Sequence, residues 1–271
     1  MFRSLSTAVS GLEQFQQRID VIGNNIANVN TVGYKGARVT ASDTFSQTLN
    51  NAIQVGSGVT TGSVSSIFTQ GSLTQTGGPT DLAVSGQGFF TVKDNSTGAT
   101  YATRDGSFQV DKAGYLVTNT GLRVQGFSDA SLTTRGDIMI NATGAPATAA
   151  AGASVASFAV DQQGKVQVIL DDGTSFTRSQ VLLQSFTAPQ ALTKEGNNLY
   201  SNLTAAGPLA TTLAPGAAGL GTIEAGSLEI SNVDMASEFS NLIIAQRGFQ
   251  ANSRIITTSD EVLQEIINLK R

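Results

Sequence analysis

All five prolines of the chain (Pro79, Pro146, Pro189, Pro208 and Pro215) lie in its middle, and neither end carries one. Proline breaks a helix interior, because it lacks the amide N–H and clashes with the preceding turn. Both ends are therefore free to form long helices, and both have the right period. Near the start, apolar residues fall at Leu5, Ala8, Leu12, Phe15, Ile19, Ile22, Ile26 and Val29. The steps alternate three and four, the a/d seam of a heptad repeat. One helix of roughly 25 residues would span about 38 Å. Near the end, Leu242, Ala245, Phe249, Asn252, Ile256, Ser259, Leu263 and Ile266 repeat the spacing, with polar breaks at Asn252 and Ser259. A second stripe runs beside it through Ile243, Ile255, Val262 and Ile267. Two stripes ask for two neighbours. The stretch Ser231 to Asp234 reads as a capping box opening this helix.

Between the ends the period changes to two. LAVSGQGFFTVKD, TRDGSFQVDKAGYLVT, VASFAVDQQGKVQVILDDGTSFT and VLLQSFTA read as strands. The turns DKAG, DQQG and DDG join them, each with a glycine that tolerates positive φ. Residues 141–157 and 203–221, rich in Ala, Gly, Thr and Pro, read as loops. The expected fold is α+β: long N- and C-terminal helices paired in a coiled-coil-like rod, with a mainly antiparallel β domain inserted between them. The corresponding division is 1–30 with 232–271 as the helical domain, 31–70 as an extended connector, and 71–231 as the β-rich domain. A small sub-domain is expected within 141–204.

Composition excludes several kinds of chemistry. Only 13% of the 271 residues are charged, and the formal net charge is −4. No basic tract offers a footprint for nucleic acid. The chain has no Cys and no His, so disulfides, thiolate metal sites and imidazole acid–base catalysis are out of reach. No run of eighteen apolar residues would span a membrane. The N-terminus lacks the uninterrupted apolar core and small-residue site of a cleaved signal peptide.

The remaining motifs have structural readings. Asp171-Asp172-Gly173 sits between two strand patterns, where Asp-Gly makes a hairpin turn rather than a metal pair. GQGFF lacks the third glycine and the following helix of a dinucleotide loop. The loop from Asp94 has Ala99 where a calcium loop needs glycine, and Asp105 where it needs a bidentate glutamate. The expectation is a protein with no enzymatic activity, no cofactor and no metal.

The strongest signal is the pair of heptad ends, and assembly explains the second stripe. Gly11, Gly23 and Gly248 each weaken a helix by about 1 kcal/mol relative to alanine. Asn24, Asn25 and Asn28 weaken it further and lie off the seam, so their amides are expected to face neighbouring subunits or a channel. Such helices would form on contact with their neighbours.

AVSGLEQFQQRIDVIGNNIANVNTVGYK resembles the N-terminal signature of bacterial flagellar rod and hook proteins, and the stretch from Ser231 to Leu269 resembles their C-terminal signature. GSLTQTGGPTDLAVSGQGFFTV followed by YATRDGSFQVDKAGYLVT resembles the β domain shared by hook and distal rod proteins. The resemblance implies a structural subunit of a helical polymer, with terminal helices forming an inner tube around an export channel. The assembly surface it implies comprises Leu5, Leu12, Phe15, Ile19, Ile22, Ile26 and Val29 at the start. At the end it comprises Leu242, Phe249, Ile256, Leu263 and Ile266. Gly33, Tyr34, Lys35 and Gly36 would be the joint to the outer domain. Distal rod proteins tend to carry an insertion after the Gly-Tyr-Lys turn, and none is evident here. That favours the flexible, torque-transmitting hook, with the distal rod protein as the alternative. A secreted adhesin or capping protein is the remote one. The implied partners are copies of itself, the distal rod protein, the hook cap, the hook–filament junction proteins and the flagellar export apparatus. The implied place is the extracellular flagellum, reached without a cleaved signal.

Overall fold

The computed structural model describes residues 2–44, 46–50, 53–146, 149–150, 153–208, 213–217 and 219–269. The chain is mostly β, with antiparallel sheets and a helix at each end. Helix α1 spans Phe2–Ala27 and helix α2 spans Met235–Leu269. By contacts the chain divides into two units. One holds Met1–Val29, Lys35–Ile67 and Val233–Arg271; the other holds Asn30–Tyr34 and Phe68–Asn232.

In the first unit the seam residues Leu5, Leu12, Phe15, Ile19 and Ile26 of α1 are half-buried, and Ala8 and Ile22 are buried. The charged and amide side chains Glu13, Gln16, Gln17 and Asp20 between them are exposed or nearly so. Burial thus follows the heptad phase. The helix stops two residues before Val29, where Asn28 donates through Nδ2 to the Asn24 carbonyl at 2.9 Å. An asparagine that hydrogen-bonds the last turn's carbonyl offers the backbone an alternative to continuing.

Helix α2 starts three residues later than the capping-box reading placed it. Asp234, not Ser231, caps it: its carboxylate accepts the Ala236 N–H at 3.1 Å, and its carbonyl accepts the Glu238 N–H at 3.0 Å. Ser231 is buried in the other unit instead. An acidic cap followed by Glu238 in the first turn also suits the positive end of the helix dipole.

The stretch expected to be an extended connector pairs with itself. Strand Ala37–Asp43 runs antiparallel to Val59–Ser66, and Ser46–Asn50 pairs with Ile53–Gly56. The longer arm of this ribbon is rich in Ser and Thr, with Val39 paired opposite Val64. It lies along α1 through hydrogen bonds: Thr61 donates to Gln14 Oε1 at 2.8 Å and also to Gln17, and Ser10 Oγ accepts the Val59 N–H at 3.3 Å.

The second unit is built on a large antiparallel sheet. Its described path runs through Val155–Val160, Lys165–Leu170, Ser175–Val181, Arg123–Phe127, Phe89–Lys93, Thr100–Thr103, Leu199–Ser201 and Thr193–Gly196. Alternate residues Val166, Val168 and Leu170 are buried, while Gln167 and Ile169 are exposed. This is the period-two pattern that marks a strand with one wet face. The core gathers Leu82, Val84, Phe90, Phe108, Leu116, Val124 and Ile138 with Val166 and Val168. Phe90 and Phe108 meet edge to face at 5.1 Å, a contact worth about 0.5–1.5 kcal/mol beyond its buried area. A second cluster stacks Phe68, Phe89, Phe186 and Tyr200. The DQQG turn behaves as its residues demand: Gly164 has φ +76°, and Asp161 accepts the Gln163 and Lys165 amides. Residues 141–204 fall in the same unit as the rest of the sheet. Positions 147–148, 151–152, 209–212 and 218, within the two expected loops, lie outside the described residues.

Candidate assembly surfaces

Helices α1 and α2 approach each other at two glycines that flank the seams. The Phe15 ring rests where Gly248 has no side chain, and Gly11 lies against the Asn252 amide, where an added Cβ would come within 2.9 Å of Nδ2. Glycines that weaken an isolated helix here let two helices approach. Leu242, Phe249, Ile256 and Leu263 are half-buried and Ala245 is buried, so most of the α2 seam is covered within the chain. Ile266 is not; it is 49% exposed.

The second α2 stripe is open. Ile243 is 57% exposed, Ile255 44%, Val262 43% and Ile267 66%. Burying a large aliphatic side chain stabilises by about 1.5–3 kcal/mol, so a row of them left in water is a face in want of a partner.

The asparagine cluster splits. Asn25 is buried, and its amide closes a two-point bridge to one backbone position: Oδ1 accepts the Ala37 N–H at 2.9 Å and Nδ2 donates to the Ala37 carbonyl at 2.8 Å. Nδ2 also lies 3.3 Å from Glu238 Oε1 on α2. Asn25 therefore ties α1 to the ribbon and to α2 within one chain, and does not face a neighbouring subunit or a channel. The expectation failed because helical phase says which residues leave a seam, not what else covers them. Asn24 is exposed, and Asn28 is half-buried against the end of its own helix.

Gly33, Tyr34, Lys35 and Gly36 are all buried, and one of the four points where the chain passes between the units falls between Tyr34 and Lys35. Gly33 adopts φ +68°, and its N–H donates to the Glu229 carbonyl at 2.7 Å. The Lys194 ammonium lies over the Tyr34 ring, 4.4 Å from its centroid, and burial lowers that ammonium's pKa. Gly36 accepts the Ile67 N–H at 2.7 Å, closing the ribbon at its base.

One buried pair was not foreseen from sequence. Arg104 Nη1 meets Glu229 Oε2 at 3.2 Å, Nη2 donates to the Gly86 carbonyl at 2.9 Å, and Glu229 Oε1 accepts the Gly71 N–H at 2.8 Å. Burial draws the guanidinium below its ordinary pKa, against the pull of Glu229. Glu229 thus holds Gly33 by its backbone and Gly71 by its side chain, pinning two of the segments through which the chain enters and leaves the second unit. Its only signal in sequence is an acid in a strand too short to show alternation.

The acidic motifs are turns. Asp172 Oδ1 accepts the Thr174 N–H at 2.8 Å and Oδ2 the Ala150 N–H at 2.7 Å; these backbone donors lower its pKa. Asp94 accepts the Ser96 amide and the Ser96 and Thr97 hydroxyls, which lower its pKa to about 2.

Comparison with known proteins covers most of this chain in the same order. The family model "Flagella basal body rod protein" matches residues 5–35, "Flagellar hook protein FlgE/F/G D1 domain" residues 83–168, and "Flagellar basal body rod FlgEFG protein C-terminal" residues 224–269. The "Flagellar basal-body rod protein FlgG" of Bacillus subtilis is 40% identical over 283 aligned residues, covering all of both chains. That of Caulobacter vibrioides is 37% identical over 99% of both. The "Flagellar hook protein FlgE" of Borreliella burgdorferi is 26% identical over an alignment stretched to 444 residues. With three family models matched in order and relatives alignable from end to end, the chain belongs to the FlgE/F/G family of flagellar basal-body rod and hook structural proteins.

Proposed function

We propose that the chain is a distal rod subunit, a structural protein that polymerises with its own copies in the flagellar basal body. The observation that carries this is alignment along the whole length, at 40% and 37% identity, with relatives named as rod proteins. The hook relative is more distant and aligns only across long gaps. The preference for the hook rested on a segment after the Gly-Tyr-Lys turn that looked too short to hold an insertion. That segment is a two-armed ribbon from Ala37 to Ser66. These relatives favour the distal rod reading over the hook.

In this reading α1 and α2 lie together as a coiled-coil-like pair in an inner tube, supported by Phe15 over Gly248 and Gly11 against Asn252. The open stripe through Ile243, Ile255, Val262 and Ile267 is covered by neighbouring copies. Residues Gly33 to Gly36 join this layer to an outer β domain. The partners are copies of the same chain, the adjoining axial segments and the flagellar export apparatus.

Electron microscopy of basal bodies from a deletion strain tests this. The expected result is a rod truncated at its distal part, with no hook built on it. A complete rod lacking only the hook would return the chain to the hook reading.

A further inference from the structure

A groove of about 390 Å³ opens in the unit that holds the helices, among α1, α2 and the strand Ala37–Asp43. Ile22, Val39 and Ile67 give it apolar walls, and Arg18 and Arg38 bring two guanidinium groups to it. Neither arginine makes an ion pair among the described residues. The one acid in its lining, Glu238, lies beside the Asn25 amide. Two arginines against one glutamate leave the lining with a net charge of +1.

The far end of α2 has the complementary character. Glu261, Val262, Glu265, Ile266 and Leu269 fall on one helical face, at steps of one, three, one and three. All five are exposed. Residues 255–269 contain three acids and no base, between Arg254 and the Lys270-Arg271 pair. Neither Glu261 nor Glu265 makes an ion pair among the described residues. Asn241 lines the groove, and Glu265 lies 24 residues further along the same helix, about 36 Å away at 1.5 Å per residue. A continuous helix cannot bring its own end back over that distance.

We infer that the α2 end of one copy seats in the groove of a second copy, with Val262 and Ile266 against the apolar walls and Glu261 and Glu265 facing Arg18 and Arg38. The inference rests on the self-assembly proposed above and names the residues that meet. Such a contact joins two different surfaces. It therefore repeats from copy to copy, building a ring or an open helical filament rather than a twofold dimer.

The chain has no cysteine, so introduced ones report cleanly. Ile67→Cys protein mixed with Ile266→Cys protein, concentrated and oxidised, should give a disulfide-linked pair that neither gives alone. Arg38→Glu and Glu265→Arg, both at exposed positions, should each raise the concentration needed for polymer about tenfold while the monomer's circular dichroism is unchanged. Combined in one chain they should return it to within about twofold of wild type. Wild-type polymer with no mixed crosslink and no rescue by the double variant overturns this seat but leaves assembly standing. So does a crosslink in either single-cysteine protein alone, which would mark a twofold contact. Wild-type protein that neither polymerises nor crosslinks at any concentration overturns both the seat and the assembly beneath it.

Discussion

Glycine has three different roles within this one chain, and the differences can be measured. Gly33 needs its positive φ and has Asp105 N 2.6 Å from where a Cβ would sit. Gly33→Ala should therefore lower the unfolding free energy by about 1–3 kcal/mol, read by chemical denaturation. Gly23 is its opposite: exposed, helical, with nothing within 4 Å of an added Cβ. Gly23→Ala should stabilise by about 0.5–1 kcal/mol. A loss at Gly23, or no loss at Gly33, would contradict the local geometry described for each. Gly248 belongs to neither class, because the Phe15 ring occupies the space. In the sequence all three read simply as helix weakeners or joint residues. The distinction lies in what sits opposite, and that is tertiary.

Among the elements, α2 carries the functional argument. Its inner stripe is mostly covered within the chain, while its outer stripe is exposed. Ile243→Asp with Ile255→Asp should leave monomer stability within about 0.5 kcal/mol of wild type, as exposed substitutions do, while abolishing polymer. Sedimentation and electron microscopy read the polymer, and thermal unfolding reads the monomer. Normal polymer from this variant would remove the outer stripe from the assembly surface. The same substitution at Ile22 would be a poor probe, since Ile22 is buried and its loss would damage the monomer first. The helices and the strands around 155–181 were legible because long apolar periodicity survives in sequence. The ribbon of 37–66 was not. Its strands are Ser- and Thr-rich with few apolar residues, so backbone pairing and side-chain hydrogen bonds to α1 hold much of it. Hydrogen bonds of that kind leave no period to read.

At the scale of the whole molecule, the turn aspartates make stability depend on pH in the acid range. Hydrogen bonds within its turn hold the Asp94 pKa at about 2, below the ordinary aspartate value of 3.8. The Ser131 hydroxyl and the backbone amide of Thr134 lower Asp129, and the Ala150 and Thr174 amides lower Asp172. A carboxylate whose folded value lies below its unfolded one contributes stability above the unfolded value. It loses that contribution as pH falls through the folded one. Stability should therefore fall between about pH 4 and pH 2. It should be flat from about pH 5 to 8, where histidine would titrate and the chain has none. Melting temperatures across pH 2–8 check this; a step near neutrality would show a titrating group unaccounted for.

Sequence alone carries the two terminal helices, the strands between 155 and 181, the apolar stripes along both ends and the family resemblance. Each of these is written in local order: heptad phase, period-two alternation, turn residues, motif spacing. Only the tertiary structure decided that Asn25 points inward to Ala37, that Glu229 holds Arg104, Gly33 and Gly71, and that one α2 stripe is covered while the other is bare. The partners of Asn25 and Glu229 lie 12 to 213 residues away in the chain, beyond the reach of any short-range pattern. Burial, likewise, is set by what packs on a face, not by the face itself.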